Sequence, residues 1–176
     1  AVDLDTVAAV APRDNSVVTL WSDGYDKSFI VDLNDLSVHE EEKETTYALI
    51  RGVAARLKAL GYKTGGFDAC VTSTVFKGSG LSSSAAFEVM LVAVFDALFN
   101  GWVIDAKLRA QISQYAENVY FGKPSGLMDQ MASAVGGLVT IDFGPADPAV
   151  EALSCDFGAK GYAVCVVSAG GEHGNL

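Results

Sequence analysis

An α+β fold, a mixed sheet packed with helices in a single domain, is what this chain of 176 residues predicts. Residues 16 to 36 alternate apolar and polar positions, the period of a half-buried strand. Tyr47, Leu49, Ile50, Val53, Ala54, Leu57 and Leu60 recur at helical spacing. Further strand-like and helix-like segments follow without the strict alternation of a doubly wound sheet.

Taken in order, Val18 and Leu20, then Phe29 and Val31, flank Ser22-Asp23-Gly24, which reads as a β-hairpin or meander. The acidic run Glu40 to Glu44 precedes the helix ending at Gly61; it complements the helix dipole and reads as a solvated face. Phe67 to Phe76 is rich in β-branched and apolar residues and predicts a strand running into a glycine loop. Ser83 to Asn100 predicts a mostly apolar, buried helix interrupted by Glu88 and Asp96. Asp105 is the expected N-cap of a helix through Ile112, Tyr115 and Val119, closing near Gly122. A short helix over Gly126 to Ala134, a Gly136-Gly137 turn and a strand from Leu138 to Phe143 follow. Beyond the loop Pro145 to Pro148 lie two last strand candidates, Glu151 to Asp156 and Tyr162 to Ser168.

Half of the residues are apolar, and a domain of this length buries about 70% of the surface its unfolded chain exposes. The net charge of −10, with 22 acidic against 12 scattered basic residues, argues against a nucleic-acid or anionic-membrane surface. Ala1 to Asp5 lacks the positive start and apolar core of a signal peptide, so a cytoplasmic location is expected. Cys70, Cys155 and Cys165 are too widely spaced for a zinc site or a disulfide framework and read as small buried strand residues. Trp21 and Trp102 read as packing residues and His39 as solvent-facing, while His173, in a glycine-rich loop, is a candidate for lining a cleft. The chain starts without Met and stops after Gly170 to Leu176, which reads as a fragment or a processed product.

Two segments carry chemistry. The first is Gly78-Ser79-Gly80-Leu81-Ser82-Ser83-Ser84. A loop around a polyphosphate needs inward N–H groups and no obstructing side chains, which Gly78 and Gly80 permit. A helix beginning directly after it adds its free N–H groups and its dipole. Ser82, Ser83 and Ser84 can donate to phosphate or ligate Mg²⁺. No Lys follows the second glycine, and Ser83 stands where a third glycine would belong, so neither familiar nucleotide loop is present. By itself, a Gly-Ser turn more often just caps a helix.

The second segment runs from Ala116-Glu117-Asn118 to Gly126-Leu127-Met128-Asp129-Gln130. Gly122, Pro124 and Gly126 bend the chain between Glu117 and Asp129, so both acids can return to one side. A kinase acting on a neutral alcohol needs Mg²⁺ on the β- and γ-phosphates and a carboxylate beside the attacking hydroxyl. Glu117 suits the metal and Asp129 the hydroxyl, although either acid alone is more often a cap or a surface charge.

In these segments the chain resembles the GHMP family of small-molecule kinases in its galactokinase form. Gly80-Leu81-Ser82-Ser83-Ser84-Ala85 is similar to the family's nucleotide-phosphate motif, and Gly126-Leu127-Met128-Asp129-Gln130 after Ala116-Glu117-Asn118 to its catalytic segment. The likeness extends over residues 1 to 176. It implies the ribosomal protein S5 domain 2-like fold of the family's N-terminal domain. It also implies that Asp129 is catalytic beside the sugar C1 hydroxyl, and that Gly126 contacts the sugar through its backbone. Ser84 and Glu117 would bind magnesium, and Gly78 through Ser84 would surround the ATP phosphates. The implied reaction is ATP plus α-D-galactose giving galactose 1-phosphate and ADP.

Three departures qualify this. The family's N-terminal segment, with its catalytic arginine and sugar-binding acids, has no counterpart, since Arg13, Arg51, Arg56 and Arg109 lie in other contexts. The second domain is also missing, so the chain reads as most of an N-terminal domain, and these residues alone are expected to turn over negligibly. Finally, Phe76 stands where the loop motif usually has Pro, and Ser125 where the family usually has Cys. Another sugar or an acyclic alcohol as substrate, or a galactose and ATP sensor acting through a protein partner, are the alternatives.

Overall fold

The computed structural model describes residues 1–75 and 80–167. Four strands, β1 Thr6–Pro12, β2 Val17–Ser22, β3 Phe29–Asp32 and β4 Phe67–Ser73, form one mixed sheet in the order β1-β4-β2-β3. β4 is antiparallel to β1 and parallel to β2, and β2 pairs antiparallel with β3 around the expected hairpin. The strand period is visible in the packing: Val18, Leu20, Val31, Phe67, Ala69 and Val71 all point to one buried face. The sequence reading did not include β1. Its Ala8 and Val10 reach the core only partly, and it occupies a sheet edge, where Pro12 is tolerated.

Helices α1 Thr46–Ala59 and α2 Ser83–Phe95 supply the other half of the core, with Ile50, Val53, Leu57, Leu91 and Phe95 fully buried. Phe67 of β4 meets Phe95 edge to face at 5.2 Å. The 18-residue stretch Ser83–Asn100 is long and apolar enough to cross a bilayer, but here half of it is buried inside the protein, including Glu88 and Asp96. α2 runs on through a π-helical turn, Asp96–Asn100, and α3 Ala106–Tyr115 through another, Ala116–Phe121. Both close at glycines of positive φ, Gly101 and Gly122. Asp105 caps α3 as expected, accepting from the Leu108 N–H at 2.8 Å.

α1 lies close against the end of α3 because Gly52 has no side chain there. A Cβ at that position would stand 2.9 Å from the Cβ atoms of Ala116 and Tyr120. The acidic run presents its expected solvated face at Glu40, Glu41 and Glu44, all exposed, but does not open α1 as expected. Glu40–Glu42 forms its own short 3₁₀ turn, and α1 has no acid in its first turn. Glu42 instead grips the buried Arg51, taking Nε at 2.8 Å and Nη2 at 2.7 Å, while Arg51 Nη1 donates to the carbonyls of Asp32 and Asp35. A fork of donors matched to a carboxylate outweighs the weaker dipole effect.

α4 Met128–Val135 begins two residues later than the sequence suggests, and β5 Leu138–Asp142 pairs with β6 Ala149–Leu153 as a separate hairpin. A small second core of Ala110, Leu127 and Met131 joins α3 and α4 to this hairpin. Within the last strand candidate, residues 162–167 form no regular element, with Val164 and Val167 largely exposed. Among the described residues no strand pairs with them. The remainder of that candidate, and His173, lie outside the described residues. Other expectations change as well. Cys70 is exposed because Ala69 and Val71 take the inner face of β4; Cys155 lies half-buried beyond β6, and Cys165 is exposed. Trp21 and Trp102 are exposed, the latter beside the Arg109 guanidinium at 5.8 Å. His39 is only partly exposed, with Nε2 3.0 Å from Asp35 and Nδ1 3.3 Å from Glu41. Those carboxylates, Glu41 above all, hold the imidazole pKa above its usual value.

Candidate active site

The chain enters α2 through Gly80 at φ +75° and Ser82 at φ +57°, both in the left-handed region. Ser82 occupies the N-cap position, yet its hydroxyl makes no capping bond. It donates instead to Asp129 Oδ2 at 2.5 Å, across 47 positions of sequence. The first turn of α2 therefore keeps N–H groups that the usual side-chain cap does not claim, the condition for attracting an anion. Leu81, Ser82, Ser83 and Ser84 are half-buried and Gly80 is exposed, so this end of the helix borders solvent. Gly78, Ser79 and Phe76 lie outside the described residues.

Ser84, in the first turn of α2, donates to Glu117 Oε1 at 3.3 Å. Glu117 sits in the π-helical turn that ends α3 and is only 4% exposed. Its other oxygen, Oε2, accepts from Gln130 Nε2 at 2.6 Å. The two acids therefore meet opposite faces of one serine-bearing helix start, Glu117 through Ser84 and Asp129 through Ser82.

The bend between them is fixed by Asn118. Its Oδ1 accepts from the Ser125 N–H at 2.7 Å and from the Ser125 hydroxyl at 3.2 Å, and its Nδ2 donates to the Ser125 carbonyl at 3.3 Å. Gln114 Nε2 reaches the same carbonyl at 3.1 Å. Next to this staple, Gly126 is exposed, and a Cβ built there would meet nothing within 4 Å. Neither internal packing nor a left-handed backbone asks for glycine at Gly126, which leaves space for a close-lying ligand.

Below the rim lies a third acid that the sequence presented only as an interruption of an apolar helix. Glu88 is fully buried one turn beyond Ser84, and its Oε2 accepts from Gln130 Nε2 at 3.3 Å. Burial, reinforced by the charge of Glu117, pushes its pKa up to about 9, so it is neutral near pH 7. Glu88 Oε1 and Gln130 Oε1 are buried without a hydrogen-bond partner. Glu88 is the site residue that motif reading passed over, while Asn118 and Gln130 lie in the quoted segment but received no role there. The one signal for Glu88 was a carboxylate four residues after Ser84 in a helix too apolar to be solvated.

The donor set is all oxygen and sparse: one nearly buried carboxylate with a hydroxyl on it, and no cluster of three or more His, Cys, Asp or Glu among the described residues. That suits Mg²⁺, which takes one or two carboxylates and completes its shell with phosphate oxygens and water. Asp129 is exposed at the end of α4, where it can accept a hydrogen bond from an incoming hydroxyl. Two clefts, one of about 400 Å³ lined by Arg56, Tyr115 and Asn118 and one of about 380 Å³ beside Trp21 and Cys70, are lined by neither Ser82 nor Asp129. The convergence of polar groups identifies the site better than cavity size does.

Known proteins share this chain's sequence pattern and fold. The family described as GHMP kinases N terminal domain matches residues 48–137, a span that contains the serine loop and both acids. A galactokinase of Streptomyces coelicolor is 34% identical over 181 residues, covering 98% of this chain and 44% of its own length. A galactokinase of Clostridium tetani is 32% identical over 136 residues, covering 77% of this chain and 34% of its own. The chain thus spans less than half the length of these relatives. The solved Lactococcus lactis galactokinase complexed with galactose superposes with a TM-score of 0.76 at 25% identity, over 88% of this chain and 41% of that one. The Methanococcus jannaschii mevalonate kinase shares the fold at 16% identity, with a TM-score of 0.69 over 89% of this chain and 49% of that one.

Proposed function

We propose, on the premise that the chain belongs to the GHMP kinase family, that the protein transfers the γ-phosphoryl group of ATP to the C1 hydroxyl of galactose. The observation that carries this reading is the meeting of Ser82 with Asp129 and of Ser84 with Glu117 at the start of α2. The galactokinase relatives at 34% and 32% identity support the choice of sugar. Because they are more than twice as long as this chain, the activity is proposed for a protein of their length.

In this reading Gly78, Ser79, Gly80, Leu81, Ser82 and Ser83 surround the ATP phosphates, and the start of α2 directs its dipole and free N–H groups at them. Ser84 and Glu117 would hold Mg²⁺. When bound, the ion neutralises charge on the β- and γ-phosphates. Asp129 accepts a hydrogen bond from the sugar C1 hydroxyl, orients its oxygen toward the γ-phosphorus and takes its proton as the new O–P bond forms and the bond from the γ-phosphorus to the β–γ bridging oxygen breaks, releasing ADP. Its present partner, the Ser82 hydroxyl, marks where that sugar hydroxyl would compete or add a second bond. The exposed backbone at Gly126 offers the sugar ring a surface without side-chain obstruction.

The direct test is ADP release by the full-length protein over a panel of sugars. Galactose should give the highest kcat/KM, with loss of turnover in Asp129→Ala. A full-length protein that phosphorylates another alcohol preferentially, or an Asp129→Ala variant near wild-type rate, would overturn the assignment.

A further inference from the structure

Gln130 follows Asp129 in the chain, and a residue facing away from the reacting groups on a short helix would ordinarily be apolar. Here it is 1% exposed, and its amide nitrogen lies between two carboxyl groups, 2.6 Å from Glu117 Oε2 and 3.3 Å from Glu88 Oε2. Three separate elements meet at that nitrogen: α2 through Glu88, the end of α3 through Glu117 and α4 through Gln130.

We infer that Gln130 and Glu88 form a buried clamp that positions Glu117, fixing the carboxylate with Oε1 toward Ser84 and coupling its placement to that of Asp129. The inference rests on the reading of Glu117 as the metal-holding acid. A long carboxylate side chain such as Glu117, near the start of the π-helical turn, has several rotamers open to it, and a hydrogen bond at 2.6 Å to a fixed amide selects one. With Oε2 committed inward, Oε1 is the oxygen left for Ser84 and for a ligand.

The pairing at Gln130 also explains why an acid is tolerated at Glu88. Two charged carboxylates sharing one amide would repel in a site closed to water, and a neutral Glu88 removes that repulsion while still accepting from the amide. A proton on Glu88 also turns one of two unpaired buried acceptors into a donor. Neither residue reaches the rim, so both act through Glu117 and are positioning residues rather than catalytic ones.

The test uses the full-length protein, with Mn²⁺ as a paramagnetic probe titrated in the presence of a non-hydrolysable ATP analogue and read by electron paramagnetic resonance. Gln130→Leu keeps the volume and removes the amide. It should weaken Mn²⁺ binding by about tenfold or more, the scale on which outer-shell partners act, with a smaller change in the galactose KM. Glu88→Leu withdraws one of the two acceptors at that nitrogen and should weaken Mn²⁺ binding, though less than Gln130→Leu does; unchanged binding would remove Glu88 from the clamp. A folded Gln130→Leu protein with wild-type Mn²⁺ affinity would overturn the clamp. If Gln130→Leu does not fold, Gln130→Asn, which withdraws the amide by one methylene, is read the same way: weakened binding supports the clamp and unchanged binding overturns it. Glu117→Gln separates the two layers of the argument. If it leaves Mn²⁺ affinity unchanged, the metal assignment itself fails. If it weakens binding while Gln130→Leu does not, only the clamp falls.

Discussion

The Ser82 hydroxyl lies 2.5 Å from Asp129 Oδ2, so the residue in the N-cap position of α2 bonds to the second residue of α4 rather than to its own helix. This contact ties the serine loop to the acid-bearing segment at the protein surface. It makes Asp129 accessible to a hydroxyl while holding it beside a helix N-terminus.

Replacing Asp129 by alanine should therefore separate chemistry from nucleotide binding. In the proposed reading Asp129 is the proton acceptor, so its loss should lower kcat by about 10² to 10⁴, whereas ATP affinity, which that reading assigns to the loop and α2, should stay within a few-fold. Steady-state ADP release and calorimetric titration of a non-hydrolysable analogue measure the two quantities. A parallel loss of both would place Asp129 in nucleotide binding instead.

Glu88 makes stability fall with rising pH. Its folded pKa is pushed up to about 9 from the usual 4.5, so between those values the folded protein holds a proton that the unfolded chain has released. Stability then declines by at most about 1.4 kcal/mol per pH unit across that window, the one-proton limit. Glu88→Gln removes the titration. Urea unfolding from pH 5 to 9 should show a shallower decline in the variant, and identical slopes would mean that Glu88 is charged in the folded state.

At Gly52 the closeness of α1 to the end of α3 gives a second measurable effect. The Cβ of Gly52→Ala meets two Cβ atoms at 2.9 Å, roots of side chains that cannot swing aside, so the helices must move apart. The expected loss is about 1–3 kcal/mol, visible as a lower urea midpoint with an unchanged m-value. A neutral or stabilising substitution would show that the helix contact is looser than described.

Asp96 holds the loop after α2 by accepting from the N–H groups of Val103 and Ile104, each at 3.0 Å, with Arg109 Nη2 at 3.6 Å. Asp96→Ala strands the buried Ile104 N–H and leaves the part-buried Val103 N–H to water, and should destabilise by about 1–3 kcal/mol. Amide exchange at Val103 and Ile104 should quicken more than exchange in β4. Unchanged exchange at those two amides would remove Asp96 from this role.

Much of this was legible in the sequence because it depends on period and on local chemistry. The alternation around Val18 and Leu20 and the helical spacing from Leu49 to Leu57 put the expected side chains in the core, with Tyr47 partly buried against it, whereas Leu60, just past the helix, is exposed. The cap at Asp105 is set by neighbours in sequence, and it formed as expected. What could not be read depends on partners far away in the chain. β1 becomes a strand only because β4 lies beside it. Glu42 is pulled from solvent by Arg51, and Glu88 takes its meaning from Gln130, 42 positions later. The serine loop and Asp129 could be associated by motif, but their contact through Ser82 needed the fold.

The strand order has a consequence for how the chain comes together during synthesis. β4, at residues 67–73, is the neighbour common to β1 and β2, so the first three strands have no complete sheet to join until it has left the ribosome. Until then the β2–β3 hairpin, of a kind only marginally stable alone, leaves its apolar side without a finished core. Sheet closure must also bridge about 60 positions between β1 and β4, a long loop to close and a feature of slow folding. The half-made sheet in that interval is the species that a chaperone would encounter.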